Sequence, residues 1–325
     1  WGGSSRSQMQ SAMATQDPPH LAAMVPMYGP SNIYSYGFRH DGAFQLKFCS
    51  AGFWLAADSR EARADPVIKA ALEGARATEW LYRLPLKRGH SPLSLTPNYE
   101  RWVLDFMTRG DYDDYWANPS FNIEAHFDQH SDVPIYHIGG WYDSWSRSSM
   151  IQFTELSKRK KGPVKLLMGP WIHGGHSLTY SRDVDFGASA SLDGNLAKDF
   201  NAWLLRWFDY ALKGADNGAG SGPSVKLFIM GVGSGTKTGA GRLDHGGRWR
   251  DEMEWPLTRA LNTSCYLHSD GSLSQLPPGP DDRPSVYRFD PGDPVPTIGG
   301  NLSGLSELAS DDGPGQPAMI RRPII

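Results

Sequence analysis

The sequence predicts an α/β protein, with a parallel sheet covered by helices on both faces and a smaller β-strand unit after it. Short apolar runs at 21–26, 133–139 and 164–168 alternate with helix-compatible segments, which is typical of strands buried on both faces. A Gly-rich segment at 214–222 then precedes a region of short strands and turns. The 325 residues are enough for about two domains.

The predicted helices end at residues that favour helix termini. A helix over 6–17 ends at Asp17-Pro18-Pro19, because proline disfavours helical conformation in the residue before it. Gly214 follows another helix and is expected to be its C-cap. The other helix-compatible segments are 65–86, 97–117, 148–160 and 195–213.

Composition excludes several classes of protein. The 32 Lys and Arg residues against 35 Asp and Glu give a net charge of −3, so neither nucleic acid nor a membrane is an expected partner. The 12 Trp, 13 Tyr and 13 Phe residues are too many for a disordered chain. Cys49 and Cys265 are too few and too distant for a disulfide framework or a Cys-rich metal site.

The segment Gly2-Gly3-Ser4-Ser5 is the first of three that carry candidate catalytic residues. A serine on a sharp turn between a strand and a helix needs small neighbours and exposes its Oγ. The N–H of the next residue can then face a developing oxyanion at the start of the helix. The alternative interpretation is an ordinary loop or a helix N-cap.

The second segment is Gly139-Gly140-Trp141-Tyr142-Asp143, directly after a predicted strand. An Asp at the carboxyl end of a parallel strand lies where open α/β sheets bind their ligands. The alternative is that Asp143 caps the helix that follows.

The third segment, residues 169–176, follows the next predicted strand and contains His173 and His176. A loop histidine at this position can act as general base to a serine and be oriented by a carboxylate. A surface histidine is the alternative interpretation. A metal site at the two histidines has little support, because no further ligand residue is near at the usual spacing.

The order of the three candidates along the chain strengthens the catalytic interpretation of each of them. Ser4, Asp143 and His173 occur in the chain order of the triads of α/β-hydrolases. His173 follows Asp143 by thirty positions, which is enough for one helix and one strand and would place both residues at the same sheet edge. The joint pattern predicts a serine hydrolase.

Longer stretches resemble a known family. They are WGGSS with QMQSAMATQDPPHLAAMVP at 1–26, VPIYHIGGWYDSW at 133–145, GPWIHGGH at 169–176, WRDEMEWPL at 249–257, CYLHSDGSL at 265–273 and YRFDPGDPVPTIGG at 287–300. In this order they resemble the Xaa-Pro dipeptidyl-peptidase family in its broad sense, which includes CocE/NonD hydrolases, cocaine esterases and α-amino-acid ester hydrolases.

The resemblance implies specific roles for the candidates. Ser4 matches the nucleophile, Asp143 the triad acid and His173 the triad base, while the Ser5 N–H is expected in the oxyanion hole. The family's turn is usually G-x-S-Y-x-G, whereas Ser5 here replaces the Tyr and Ser7 the last Gly. That glycine normally allows close contact between helix and strand. The family's second oxyanion donor, a tyrosine hydroxyl, lies upstream of the nucleophile, in a region that this sequence lacks.

The resemblance also implies a domain organisation. We expect an α/β-hydrolase fold whose N-terminal strands are missing, because the chain opens at Trp1 in what resembles a strand–turn–helix junction. The expected units are hydrolase core at 1–47, a helical cap at 48–130, core at 131–215 and the start of a β jelly-roll at 223–325. The cap's aromatic residues either line an acyl pocket or pack between helices: Phe53, Trp54, Trp80, Trp102 and Trp116. Better pocket candidates flank the triad: Trp141, Tyr142 and Trp171.

The predicted function is cleavage of an ester or amide acyl bond through an acyl-enzyme, without a metal or organic cofactor. The expected partner is a small-molecule ester or peptide substrate. The sequence is also compatible with a homo-oligomer. Release of an Xaa-Pro dipeptide and cleavage of a small acyl ester both remain open, because no acidic residue can be assigned to bind a substrate amine. The alternative is a truncated or degenerate, non-catalytic member of the family that at most binds a ligand.

Overall fold

The computed structural model describes residues 1–75, 79–80 and 83–290. Its main feature is a six-stranded sheet. In their order across the sheet, the strands are β1 (Gly2–Gly3), β2 (Pro26–Met27), β5 (Ile135–Gly140), β6 (Val164–Gly169), β9 (Val225–Met230) and β11 (Gly247–Glu252). The first five strands run parallel, and β11 is antiparallel to β9.

Helices cover both faces of the sheet, as the alternating pattern predicts. On one face, Phe153 and Leu156 pack with Ala14 against buried strand residues such as Leu166. On the other face, Trp203 and Trp207 pack against a second set that includes Ile138 and Leu167. The nine α-helices in the described part of the chain are α1 (Ser5–Ala14), α2 (Ile33–Tyr36), α3 (Lys47–Ala57), α4 (Arg60–Ala64), α5 (Pro66–Glu73), α6 (Pro97–Thr108), α7 (Asp114–Ala117), α8 (Ser146–Arg159) and α9 (Phe200–Lys213).

The ends of α9 follow from local chemistry. Gly214 adopts a left-handed conformation with φ of 69°, which confirms the predicted C-cap. The helix begins at Phe200 rather than at residue 195, because the Asp199 carboxylate accepts a hydrogen bond of 2.8 Å from the Ala202 N–H and caps the first turn.

Helices α3–α7 lie between β4 (Ala43–Phe44) and β5, where the sequence predicts a cap. Several of them share a core of their own around Phe53, Leu72 and Val103. The helix predicted over 65–86 is shorter, since α5 ends at Glu73, and part of that range lies outside the described residues.

The strand β9 corrects the predicted domain boundary. The Gly-rich composition of 214–222 places residues 225–230 in a separate β unit, but β9 pairs in parallel with β6 over Leu166↔Val225 to Met168↔Leu227. The boundary before residue 223 is therefore wrong for this strand. The segment 214–222 is a connection within the α/β unit, between α9 and the next strand of the same sheet.

The remaining strands are short. They are β3 (Arg39–His40), β4, β7 (Tyr180–Ser181), β8 (Val184–Asp185), β10 (Leu243–Asp244), β12 (Tyr266–Leu267) and β13 (Leu273–Ser274). The jelly-roll domain stays a prediction, because much of its range, residues 291–325, lies outside the described residues, as does the irregular tail expected after 300. Of the helices described, none has the length and apolar character needed to cross a bilayer.

Candidate active site

Ser4 lies on the sharp turn that the sequence predicts. It follows β1 and immediately precedes α1, with φ of 59° and ψ of −127°, a backbone conformation that is strained for any residue with a side chain. Its N–H donates to the Met27 carbonyl of β2 at 2.9 Å, which holds the turn against the sheet. Its side chain makes no capping hydrogen bond to the helix. Ser4 thus occupies the N-cap position of α1 without its side chain capping the helix.

Two glycines make room for this turn. A Cβ on Gly2 would lie 2.6 Å from the Cβ of Arg6, and a Cβ on Gly29 would lie 2.4 Å from the Cβ of Ser7. The absence of a side chain at Gly29, which follows β2, therefore leaves room for Ser7 and the start of α1.

Asp143 and His173 lie next to each other after two adjacent strands. Asp143 follows β5 and His173 follows β6, and His173 Nδ1 is 3.0 Å from Asp143 Oδ1. Asp143 is fully buried, while 17% of the His173 side chain is exposed. This contact orients the imidazole and holds its Nδ1 toward the carboxylate. The helix after Asp143 is capped at Trp145, so the interpretation of Asp143 as that helix's N-cap is wrong.

Backbone hydrogen bonds join the two loops that carry this pair. The Trp141 N–H donates to the Gly169 carbonyl at 2.9 Å, and the Tyr142 N–H donates to the Trp171 carbonyl at 3.1 Å. A side chain at Gly140 would collide with the Trp171 carbonyl at 2.2 Å. The position of Asp143 relative to His173 is therefore fixed by the backbone on both sides.

Two aromatic rings bracket the imidazole. The Trp145 ring lies 5.0 Å from that of His173 at an interplanar angle of 81°, and Tyr28 lies 5.9 Å away at 68°. Tyr28 also stacks on His176 at 6.3 Å. Both contacts with His173 are edge-to-face, a favourable geometry for aromatic pairs.

Tyr28 is a site residue that the sequence analysis missed. It follows β2 with a φ of 50°, is 1% exposed, and has a hydroxyl without a hydrogen-bond partner among the described residues. Burial, with a contribution from the Asp143 charge, raises the pKa of Tyr28 well above its usual value. The available signal was its position after the apolar run 21–26, the same position relative to a strand that singled out Asp143 and His173.

Ser4 lies at the same sheet edge as the histidine. In the described structure no hydrogen bond joins Ser4 to His173. The strand of Ser4 pairs with that of Tyr28 through Gly3↔Met27, and Tyr28 in turn touches the His173 ring. Ser4, Tyr28 and His173 therefore all follow parallel strands of one sheet, at the carboxyl ends of those strands.

The other predicted site residues differ in how far they are exposed to solvent. Ser5 is exposed at the first position of α1, where a backbone N–H has no partner within the helix. Trp171 is fully buried and donates its indole N–H to Ala190, and Trp141 donates its own to Phe228. The complete burial of Trp171 corrects the expectation that it lines an open pocket, whereas for the partly buried Trp141 that role stays a prediction. Tyr142 is half-buried beside Phe186, and burial raises its pKa.

An aromatic path connects the helical region to the site. Phe38 stacks on Phe48 at 3.9 Å, and Phe48 stacks on Trp145 at 6.1 Å, so α3 reaches the ring that contacts His173. Of the five aromatic residues predicted to line a pocket or pack between helices, Phe53 and Trp116 are buried and serve packing, whereas Trp54 is 53% exposed.

Across the described ranges, no group of three His, Cys, Asp or Glu side chains is placed to hold a metal ion.

The fold and this site define an α/β-hydrolase, with a carboxylate–histidine pair and a serine turn at the carboxyl edge of a mostly parallel sheet. The sequence profile of the X-Pro dipeptidyl-peptidase (S15) family matches residues 1–175. The chain belongs to this family of hydrolases.

One curated relative is similar in sequence, and three solved structures share the fold. The cocaine esterase of Rhodococcus sp. (strain MB1 Bresler) is 28% identical over 227 residues, which is 65% of this chain and 35% of the esterase. An aminopeptidase from a marine-sediment Thaumarchaeota archaeon superposes with a TM-score of 0.60 at 20% identity, over 91% of this chain and 45% of its own. An α-amino acid ester hydrolase gives 0.59 at 19% identity, over 95% and 47%. A CocE/NonD family hydrolase from Staphylococcus aureus gives 0.53 at 17% identity, over 85% and 37%. The chain thus spans between about a third and a half of the length of these relatives.

Proposed function

We propose that this protein is a serine hydrolase in which Ser4 is the nucleophile, His173 the general base and Asp143 the acid that orients it. The observation that carries the proposal is the contact of 3.0 Å between His173 Nδ1 and the fully buried Asp143. It leaves Nε2 as the atom available to take a proton from a serine at the same sheet edge.

The reaction is acyl transfer to water in two steps. Ser4 Oγ attacks the carbonyl carbon of an ester or amide while His173 accepts its proton, and the imidazolium then protonates the leaving group. A water molecule hydrolyses the acyl-enzyme by the same proton transfers in the second step. The Ser5 N–H stabilises the oxyanion of each tetrahedral intermediate, and loss of one such donor typically costs about 100- to 1000-fold in turnover.

The substrate class that we propose is a small ester or amide with an apolar acyl group. The aromatic path from Phe38 through Phe48 to Trp145 supports an apolar environment beside His173, since Phe48 and Trp145 are buried and Trp145 contacts the imidazole. The family includes X-Pro dipeptidyl-peptidases, and one relative is a cocaine esterase, so both dipeptide release and ester cleavage are consistent with this environment.

A fluorophosphonate probe tests the nucleophile, because it reacts covalently only with an activated serine. We expect labelling of the protein, loss of labelling in Ser4→Ala, and retention in Ser5→Ala, which removes a neighbouring hydroxyl but keeps the backbone N–H. Labelling that persists in Ser4→Ala would contradict the assignment of the nucleophile. Absence of labelling in the unmodified protein would favour the alternative, a non-catalytic chain that at most binds ligand.

A further inference from the structure

A cavity of about 320 Å³ lies under α9, away from the candidate active site. Tyr136 and Lys165, which line it, are the second residues of β5 and β6, and Lys226 is the second residue of β9. Asp143 and His173 instead follow the last residues of β5 and β6. At about 3.3 Å per residue, the cavity and the candidate active site lie at opposite ends of these strands.

The floor of the cavity is aromatic. Tyr136 packs against Trp203 with ring centroids 4.6 Å apart and against Trp207 at 5.2 Å, and all three residues line the cavity. The indole N–H of Trp207 is buried and has no hydrogen-bond partner among the described residues. Trp207 therefore contributes its apolar ring, and not this N–H, to the cavity.

The cavity wall carries more positive than negative charge. Lys165, Arg206 and Lys226 line it, whereas Asp251 is the single carboxylate among the described lining residues and is paired with Lys226. Lysine is rarely buried in the middle of a sheet, yet Lys165 is only 5% exposed.

The two unpaired cations retain hydrogen-bonding capacity. The Lys165 ammonium donates to the Ser221 carbonyl at 2.7 Å and to that of Pro223 at 3.3 Å, which leaves one of its three donors. Arg206 directs two of its five N–H groups to the Asn217 carbonyl, at 3.1 and 2.8 Å. These carbonyls carry no net charge, so neither cation is neutralised by them.

We propose that this cavity is a second binding site, which takes a small carboxylate with a flat aromatic body. The ring lies against Tyr136, Trp203 and Trp207, and the carboxylate accepts hydrogen bonds from Lys165 and Arg206. A neutral aromatic ligand would leave both cations uncompensated, and a small inorganic anion would leave the aromatic floor unfilled. The cavity volume lies within the range of known small-molecule sites.

Calorimetric titration with phenylacetate tests this site, with phenylacetamide and acetate as probes that lack the charge or the ring. We expect saturable binding of phenylacetate in the millimolar range or tighter, and no saturable binding of the other two. Arg206→Gln should weaken binding about tenfold, because it removes a charge-assisted hydrogen bond. Lys213→Gln is the matched control, since it removes an exposed cation of the same helix, and it should leave affinity unchanged.

Trp207→Phe provides a second variant, which keeps an aromatic ring but makes the aromatic floor smaller, and it should also weaken phenylacetate binding. His173→Ala should have no effect, because that residue lies at the other end of the sheet. The proposal is overturned if phenylacetate does not bind, if phenylacetamide binds equally well, or if Arg206→Gln binds with unchanged affinity. Loss of binding in His173→Ala would also overturn it, because the ligand would then occupy the candidate active site.

Discussion

Gly29 lies so close to Ser7 that a side chain at position 29 would collide with the Ser7 side chain. A Cβ on Gly29 would lie 2.4 Å from both Cβ and Oγ of Ser7 and 3.0 Å from the Ser4 carbonyl oxygen. The start of α1, and with it the turn that holds Ser4, is therefore positioned by a glycine that follows the neighbouring strand. The serine at position 7 is compatible with a tight turn only because position 29 has no side chain.

Gly29→Ala should displace the start of α1. Overpacking of this kind costs about 1–3 kcal/mol of unfolding free energy, and labelling of Ser4 by a fluorophosphonate should slow with it. Chemical denaturation and labelling rates measure the two effects. Gly3→Ala is the matched control, because its Cβ would meet Met27 only at 3.7 Å, an ordinary contact.

The double variant Ser7→Gly/Gly29→Ala isolates the contact itself. Since Ser7→Gly removes both side-chain atoms that a Cβ at position 29 would meet, alanine at 29 should cost less in the Ser7→Gly background than in the unmodified protein. Equal costs in the two backgrounds would show that the contact does not position the turn.

Tyr28→Phe should leave the protein as stable as before or more stable. The hydroxyl is buried and has no hydrogen-bond partner among the described residues, so its removal relieves a desolvation cost while the ring contact with His173 remains. Tyr28→Ala removes the ring and should cost about 3–5 kcal/mol, as for other large aromatic residues in a core. Thermal and denaturant unfolding of both variants checks this; a Phe variant that is much less stable would mean that the hydroxyl has a stabilising partner.

Asp143→Asn should reduce turnover of p-nitrophenyl acetate by about four orders of magnitude, the effect of this substitution in other Ser-His-Asp enzymes. The amide has nearly the same shape, but it does not stabilise the imidazolium. Circular dichroism should show an unchanged fold. Asp132→Asn, a surface carboxylate that accepts backbone hydrogen bonds from Lys161 and Gly162, is the control and should retain full turnover.

The buried His137 should make the protein less stable in acid. Burial, with a contribution from His130, lowers the pKa of His137 to about 3. The unfolded chain, with an ordinary pKa near 6.5, takes up this proton first as the pH falls. The stabilisation that depends on neutral His137 is thus complete above about pH 6.5 and is lost as the pH falls toward 3, by at most about 1.4 kcal/mol per pH unit.

His137→Leu should flatten the decline of unfolding free energy between pH 6.5 and 4 that denaturant titrations measure. His90→Gln, at an exposed position, should leave the decline unchanged. An identical slope for His137→Leu and the unmodified protein would contradict the effect of burial on His137.

Much of the fold and of the candidate site was predictable because it depends on local sequence. The apolar runs became β5 and β6, and Asp143 and His173 lie in the loops that follow these two strands, which pair in parallel. The end of α9 was predictable for the same reason, since Gly214 satisfies a local requirement for a left-handed residue.

The remainder depends on contacts between residues far apart in sequence. The apolar sequence at 225–230 is compatible both with a strand that pairs with β6 and with the first strand of a separate domain. The Gly-rich segment before it led to the prediction of a separate domain, which is wrong. Tyr28 and Gly29 acquire their importance only when β2 lies beside β1 and His173 folds back over it. Lys165 sits within a run that is otherwise apolar, and the carbonyls that its ammonium meets come from residues 221 and 223.

The most direct test of the account is whether Ser4 carries the acyl group during turnover. Rapid mixing with p-nitrophenyl acetate, followed by acid quenching and fragmentation of the peptide Trp-Gly-Gly-Ser-Ser-Arg at the start of the chain, should locate one acetyl group on Ser4. The adduct should be absent in Ser4→Ala and greatly reduced in His173→Ala. An acetyl group on Ser5 or on any other residue, with turnover intact in Ser4→Ala, would contradict the central claim.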